Sequence, residues 1–456
     1  MILGLLACEP GPPDSAAPVS TPSCDSLLPI VDEPVEGLRF DGDAPQSLLL
    51  VVNDTFRHDV VQFYGGDRVT MPCLQSRADH VVRFDNAYAT GNWTGITTAS
   101  ILTGLFPEHH GLLRVDSQSG APEIDVPVTA PTFAGHFASL GHSTLQVSGN
   151  GWISEESGLM AGFESVKANP GEEGQTDASD IAPEVRAWLN ALAADKPFFI
   201  HFQPVDNHDP YLPLSQYADR FIDTADYPWP PTRDGQRELT TAYPDMSEAD
   251  KALAREWFAG LYAAETLAVD AEVEATLATL ATRGRLDDTL LIVMGDHGEA
   301  LDDDRTDYFG HGSSLREELV HVPLLAYHPR LQPGAVAGIV RGIDVLPTAL
   351  AAMGLPALDG VDGAAGGASM AYGGWWRNDD EPLRTEAVYA VSGRVKLVRS
   401  CAGGESAYDL EADPAEMAPV SDLSQLAGAV ELGAALDAQV EALQSGTSRL
   451  DACLAR

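Results

Sequence analysis

The chain has 456 residues, 68 of them acidic and 27 basic, for a formal charge of −41. That length accommodates one large domain and a smaller one, and so acidic a surface repels polyphosphate, which excludes nucleic acid as a partner. An enzyme of this charge acting on anionic esters needs a local positive charge, and a metal ion supplies it most simply.

The first seven residues are apolar, and Leu5-Leu6-Ala7-Cys8 resembles the lipobox of bacterial lipoproteins, where the signal peptide is cut before a cysteine that becomes lipidated. On that resemblance residues 1–8 are a lipoprotein-type signal segment and residues 9–46, rich in Pro, Ser and Ala, a flexible tether. The protein would be exported and lipid-anchored at a bacterial membrane facing the periplasm or cell surface, touching the membrane only through the lipid on Cys8. The apolar run is shorter than an ordinary secretory signal and has no basic residues ahead of it. Cys24, Cys73, Cys401 and Cys453 remain, an even number for an oxidising compartment. Four cysteines allow three connectivities. Cys24–Cys73 would tie the tether to the body, and Cys401–Cys453 would staple the C-terminal region to its last helix.

The globular part begins near Ser47. Residues 48–52, all Leu or Val, read as a central strand that ends in Asn53-Asp54-Thr55-Phe56-Arg57. Residues 95–103 read as a short helix that begins just after Thr94 and is stopped by Gly104. Helices follow at 129–140 and 182–194 and strands at 143–148 and 197–202, the latter followed by Asp206-Asn207-His208-Asp209-Pro210-Tyr211. A long amphipathic helix over 247–283 leads to a buried strand at 290–295, which delivers Asp296-His297-Gly298-Glu299. Phe309-Gly310-His311-Gly312 lies a dozen residues on. A strand at 321–327 and a helix at 344–353 complete the alternation. Residues 360–374, rich in Gly and Ala, read as a linker or surface loop. Residues 387–401 read as two short antiparallel strands, and a polar helix closes the chain.

Three strands therefore end in Asp54, in the Asp206/His208 pair and in Asp296/His297. Parallel strands share one carboxyl edge, where open α/β sheets bind ligands, so these groups can converge with Thr94 and His311. Carboxylates and imidazoles suit a divalent cation, Zn²⁺ or Mn²⁺ ahead of Ca²⁺ or Mg²⁺, as one ion or two. A Thr at a helix start faces unpaired N–H groups, where an anionic ester settles. Asp59, Glu299 and the acidic run 302–304 are candidates for the mouth, the run reading otherwise as an ordinary solvated loop.

Together, Val52 to Arg57, Thr94 ahead of Ala99-Ser100-Ile101-Leu102-Thr103-Gly104, Asp296 to Glu299, Phe309 to Gly312 and the late Tyr408-Asp409-Leu410 resemble the sulfatase family of the alkaline phosphatase superfamily. The resemblance covers roughly residues 47–418. It implies an α/β fold, an α/β/α sandwich with a central mostly parallel sheet, over residues 47–358, and a small C-terminal α+β subdomain within residues 359–456. It also implies a metal-dependent hydrolase of sulfate or phosphate esters acting on a small-molecule, glycan or lipid ester. Asp54, Asp296 and His297 match the family's metal ligands, and Thr94 its nucleophile, also at the metal. His208 and His311 match positions that either bind a second metal or protonate the leaving group. Arg57 matches the basic residue after the first ligand.

The departures bear on the chemistry. Family members that use formylglycine generate it from Cys or Ser within a Cys/Ser-x-Pro-x-Arg motif, and this chain has Thr94, Ile96 and Thr98 at those places. Thr cannot become formylglycine, so a covalent intermediate on the threonine itself is expected, with phosphate esters favoured over sulfates. The Asp-His pair is similar to the phosphodiesterase and phosphoethanolamine-transferase branches. That leaves open a transferase, or a non-catalytic surface lipoprotein that keeps the fold. The sequence carries no signal for oligomeric state.

Overall fold

A computed structural model describes residues 24–112, 128–168, 176–223, 226–303, 307–377 and 384–444. The Cys8 signal segment, Asp304 and Cys453 lie outside them. In chain order the main strands are β1 (Ser47–Asn53), β2 (Val81–Tyr88), β3 (Ser143–Ser148), β4 (Ser165–Ala168), β5 (Phe198–Gln203) and β6 (Thr289–Gly295). After the two-residue strands β7 (Ala300–Leu301) and β8 (Phe309–Gly310) come β9 (Leu324–Tyr327) and β10 (Gly334–Arg341). Eight of these form one sheet in the order β10-β2-β9-β6-β1-β5-β3-β4. All its pairings are parallel except the two made by β9, which runs against both β2 and β6.

The apolar strands are buried on both faces because the sheet is covered on both. In β1, Leu48, Leu50 and Val52 face one core and Leu49 and Val51 the other. The first core is closed by helices Thr94–Thr103, Phe133–Ser139 and Val345–Ala352, the second by Ala178–Ala191 and Glu248–Thr282. This is the expected α/β/α sandwich. Strands β11 (Ala371–Arg377), β12 (Arg384–Ser392), β13 (Val395–Ser400) and β14 (Glu405–Asp409) make a separate antiparallel sheet, with helix Ala429–Gln444 packed on it.

Three expectations change. The Gly-rich stretch 360–374 is not loop throughout, since β11 starts inside it. Gly373 lets that strand press on its neighbours: a Cβ there would sit 2.6 Å from the Tyr389 ring and 2.7 Å from the Thr90 carbonyl oxygen. Strands β2 and β10 escape a pattern reading because polar Asp85 and Asn86 interrupt the first and exposed residues the second. The part of the expected tether that is described, residues 24–46, lies along the body. It is held by a Cys24–Cys73 disulfide, by Val35 N–H on the Ala335 carbonyl (3.0 Å) and by Asp41 N–H on Arg330 (2.8 Å). Cys401 is also disulfide-bonded.

Candidate active site

Register builds the site. β1 and β6 pair with Asn53 opposite Gly295, so Asp54 and Asp296 leave neighbouring strands side by side. β5 flanks β1 and β3 flanks β5, with Ser148 opposite Gln203. The four adjacent strand ends thus deliver, in order, Asp296/His297, Asp54, His208 and Asn150.

The turn after β1 is strained. Thr55 has φ 54°, a left-handed conformation that β-branched residues avoid, at a cost of about 1–3 kcal/mol. The strain aims its N–H at Asp296 Oδ1 (3.1 Å), and the conformation is held by its own hydroxyl on the Asp54 carbonyl (2.7 Å) and by the Tyr262 hydroxyl donating to its carbonyl. Asp296 Oδ1 takes a second bond from the His297 N–H (2.8 Å), and Thr97 reaches Oδ2 at 3.5 Å. Gly298 cannot carry a side chain here, since a Cβ would fall 1.9 Å from the Glu318 carbonyl oxygen.

Thr94 opens its helix, buried, with its hydroxyl 3.1 Å from Asp54 Oδ1 and 3.3 Å from His297 Nε2. His297 Nδ1 lies 2.9 Å from the Gly298 carbonyl, which only a protonated Nδ1 can satisfy, so Nε2 presents a lone pair to the same point. Asn150 donates to Asp54 Oδ2 and reaches Thr94 Oγ1 at 3.4 Å. It was missed in the sequence, although it stands just past a strand end like the others. Half-buried Trp93 and Trp152 stand edge to face, 6.0 Å between centroids, next to these two residues.

Asp54, Asp296 and His297 bring ligand atoms within 4.8 Å of one another, all buried. Burial, then the neighbouring Asp54, pushes the Asp296 carboxyl well above its ordinary range, and burial, then His311, holds His297 neutral. Neither carboxylate has a Lys or Arg partner among the described residues. Two buried acids and an imidazole lone pair without a Lys or Arg partner fit a divalent metal ion.

A second group, His208, Asp209 and Glu299, also gathers ligand atoms within 4.8 Å. The His311 ring stacks at an angle against both His208 (4.8 Å between centroids) and His297 (4.7 Å). Its Nδ1 lies 3.0 Å from Glu299 Oε1, while buried Oε2 has no partner among the described residues. Burial opposes charge on His311, but Glu299 and then Asp54 outweigh it and raise its pKa to about 9. The sequence-predicted Asp54, Thr94, His208, Asp296, His297 and His311 therefore converge. Asp206 does not: it is buried beneath, accepting from the Ala178 N–H (2.7 Å).

Arg57 has a different place from the one expected. All five of its guanidinium N–H groups are taken, by both oxygens of Asp59, both of Asp303 and the Glu299 carbonyl, at 2.7–2.9 Å. None is left for an ester anion. Asp59 and Asp303 of the expected acidic mouth are thus ion-pair partners, and Asp302 is buried against Tyr243 and Arg255.

The chain is similar to several known proteins. The sulfatase family model matches residues 46–355. An arylsulfatase of Clostridium perfringens is 24% identical over 442 residues, covering 81% of this chain and 89% of that protein. Among solved structures, BT4656 in complex with its substrate D-glucosamine-2-N,6-O-disulfate superposes with a TM-score of 0.72 at 18% identity, over 88% of this chain and 99% of that one. The phosphonate monoester hydrolase of Silicibacter pomeroyi gives 0.67 at 20% identity, over 88% and 96%.

Proposed function

Since the chain belongs to the sulfatase family of ester-hydrolysing enzymes, we propose that it uses Thr94 as a nucleophile at a divalent-metal centre, on phosphoric or phosphonic esters in preference to sulfates. The observation that carries this reading is the Thr94 hydroxyl, 3.1–3.3 Å from Asp54 and His297 at the start of a helix, where formylglycine-dependent members have a different residue. Asp54, Asp296, His297 and the Thr94 oxygen would hold the ion, and His208, Asp209 and Glu299 offer ligands for a second. Mixed oxygen and imidazole donors favour Zn²⁺ or Mn²⁺. When bound, the metal lowers the pKa of the threonine hydroxyl and neutralises charge on the ester oxygens.

The chain's own residues then account for the steps. Thr94 Oγ1 attacks the phosphorus as its proton passes to solvent, from which Thr94 recovers one on release, and the bond from phosphorus to the leaving alcohol breaks. Backbone N–H groups at the helix start and the Asn150 amide hold the anion. His311, oriented by Glu299 through Nδ1, presents Nε2 to give the departing oxygen its proton. Water attacks the same phosphorus from the far side, its proton returns to the histidine, and the anion leaves with Thr94 restored. Export to an oxidising compartment is part of the proposal, supported by the Cys24–Cys73 disulfide.

The test pairs elemental analysis of the purified protein with hydrolysis of matched nitrophenyl phosphate, phosphodiester and sulfate esters, for wild type, Thr94→Ser and Thr94→Ala. We expect stoichiometric metal in all three, and a loss of at least about 10³-fold in kcat for Thr94→Ala. Undiminished turnover by Thr94→Ala would overturn the covalent threonine, and a faster sulfate ester would overturn the preference for phosphorus.

A further inference from the structure

Beside the site lies a cavity of about 650 Å³ lined by Asp209, Tyr211, Arg233, Arg237, Thr240 and Tyr308 among others. Its wall reaches residues next to His208 and His311. Asp209 follows His208 directly, and the Tyr308 hydroxyl donates to the backbone carbonyl of His311. The volume is far more than a phosphoryl group needs and suits a group the size of a sugar on the leaving side.

The charge in this cavity runs against that of the molecule. Helix Arg233–Ala242 is capped by Thr232, which accepts from the Gly235 N–H (3.2 Å). Its rotation is set by buried Gln236, which binds the Tyr211 backbone in both directions. Arg233 and Arg237, four residues apart, therefore share the face turned to the cavity. Most arginines among the described residues are committed to carboxylates, as Arg57, Arg77, Arg186 and Arg255 are. The exposed Arg237 guanidinium has no ion-pair or hydrogen-bond partner among the described residues. Of the two acids of the cavity, Asp307 pairs with Lys251 (2.5 Å) and Asp209 belongs to the second group of candidate metal ligands. What remains for a ligand is the Arg237 guanidinium, in a protein of charge −41, and only such a short-range charge offsets the general repulsion of an anion.

We propose that Arg237 binds a second anionic group, a carboxylate, sulfate or phosphate, on the leaving group of the substrate. The substrate is then an ester of an acidic alcohol, and Arg237 is a specificity residue. This rests on the reading that the chemistry occurs at Thr94.

The test uses two ester pairs and two non-hydrolysable ligands on the metal-loaded full chain. KM and kcat are measured for phenyl phosphate and 4-carboxyphenyl phosphate with wild type, Arg237→Glu, Arg237→Lys and, as a control for net charge, Arg39→Glu on a remote surface. Calorimetry compares benzylphosphonate with 4-carboxybenzylphosphonate. We expect wild type to favour the carboxylated member of each pair, Arg237→Glu to lose about tenfold or more of that preference through KM, and Arg237→Lys to keep part of it. Equal losses on both members, or the same loss in Arg39→Glu, would overturn the assignment, as would a wild type that does not distinguish the two phosphonates. If wild type distinguishes them but hydrolyses no ester, the hydrolase reading falls and the anion site stands.

Discussion

Arg57 separates a structural from a chemical role at the scale of one side chain. It is buried, and its guanidinium closes five hydrogen bonds that link the turn after β1 to the segment beyond Glu299. Asp303 beside it, followed by Asp59, keeps the group charged despite burial. Replacing it by Met strands two carboxylates that water still partly reaches, since Asp59 is 60% and Asp303 34% exposed. The expected cost is about 2–3 kcal/mol, toward the low end for breaking a buried pair. The denaturant midpoint should fall at unchanged slope, while kcat falls less than about tenfold. A kcat loss rivalling that of Thr94→Ala at unchanged stability would return Arg57 to the chemistry.

Among the elements, the long helix Glu248–Thr282 does more than cover the sheet. Its Tyr262 pins the strained Thr55, and its Tyr262 carbonyl and Thr266 hydroxyl accept from Asn207, whose oxygen in turn accepts from Asn53 (2.6 Å). One turn further, Asp270 caps the short helix Pro72–Gln75, accepting from the N–H groups of Cys73 (2.7 Å) and Leu74 (3.1 Å) where Met71 offers no cap of its own. Burial pushes the Asp270 carboxyl up to about 7 against the pull of those two donors. In the unfolded chain it titrates near 3.9, roughly the ordinary value. Between those pH values the folded state holds the extra proton, so this group subtracts stability as pH rises from about 4 to about 7, and its contribution is level above that. The stability of Asp270→Asn, followed by denaturant midpoint, should therefore fall less than wild type across that window. Parallel curves would refute the shift.

Over the whole molecule, long-range ties hold the periphery to the catalytic layer. Buried Lys396 of β13 bridges Glu317 (2.9 Å) and Glu416 (3.0 Å), joining the smaller sheet to the short helix Glu317–Val320 that backs Gly298. Cys24–Cys73 spans a sequence separation of 49 and fixes the entering chain against the body. Closing a loop of that length removes about 4 kcal/mol of unfolded-state entropy on the chain-entropy model. Cys24→Ser combined with Cys73→Ser should lower the unfolding free energy by a comparable amount while activity is kept. A change under about 1 kcal/mol would mean that residues 24–46 are held by their backbone contacts alone.

Strand composition by itself determined the layered fold and pointed to four of the converging residues, because runs such as Leu48 to Val52 and Leu290 to Met294 stay buried only at the centre of a covered sheet, and parallel strands must release Asp54, Asp296, His297 and His208 at one edge. Thr94 was legible for a similar local reason, a hydroxyl at a helix start. Tertiary structure alone decided the rest. Asn150 gains its meaning from a register two strands away, and the reversal of β9 depends on which neighbours pair with it. Arg57 faces Asp59 and Asp303 instead of the ester, and Arg237 reaches the cavity because Gln236 sets the rotation of its helix. A side chain's partner is a matter of direction in space, which pattern along the chain does not carry.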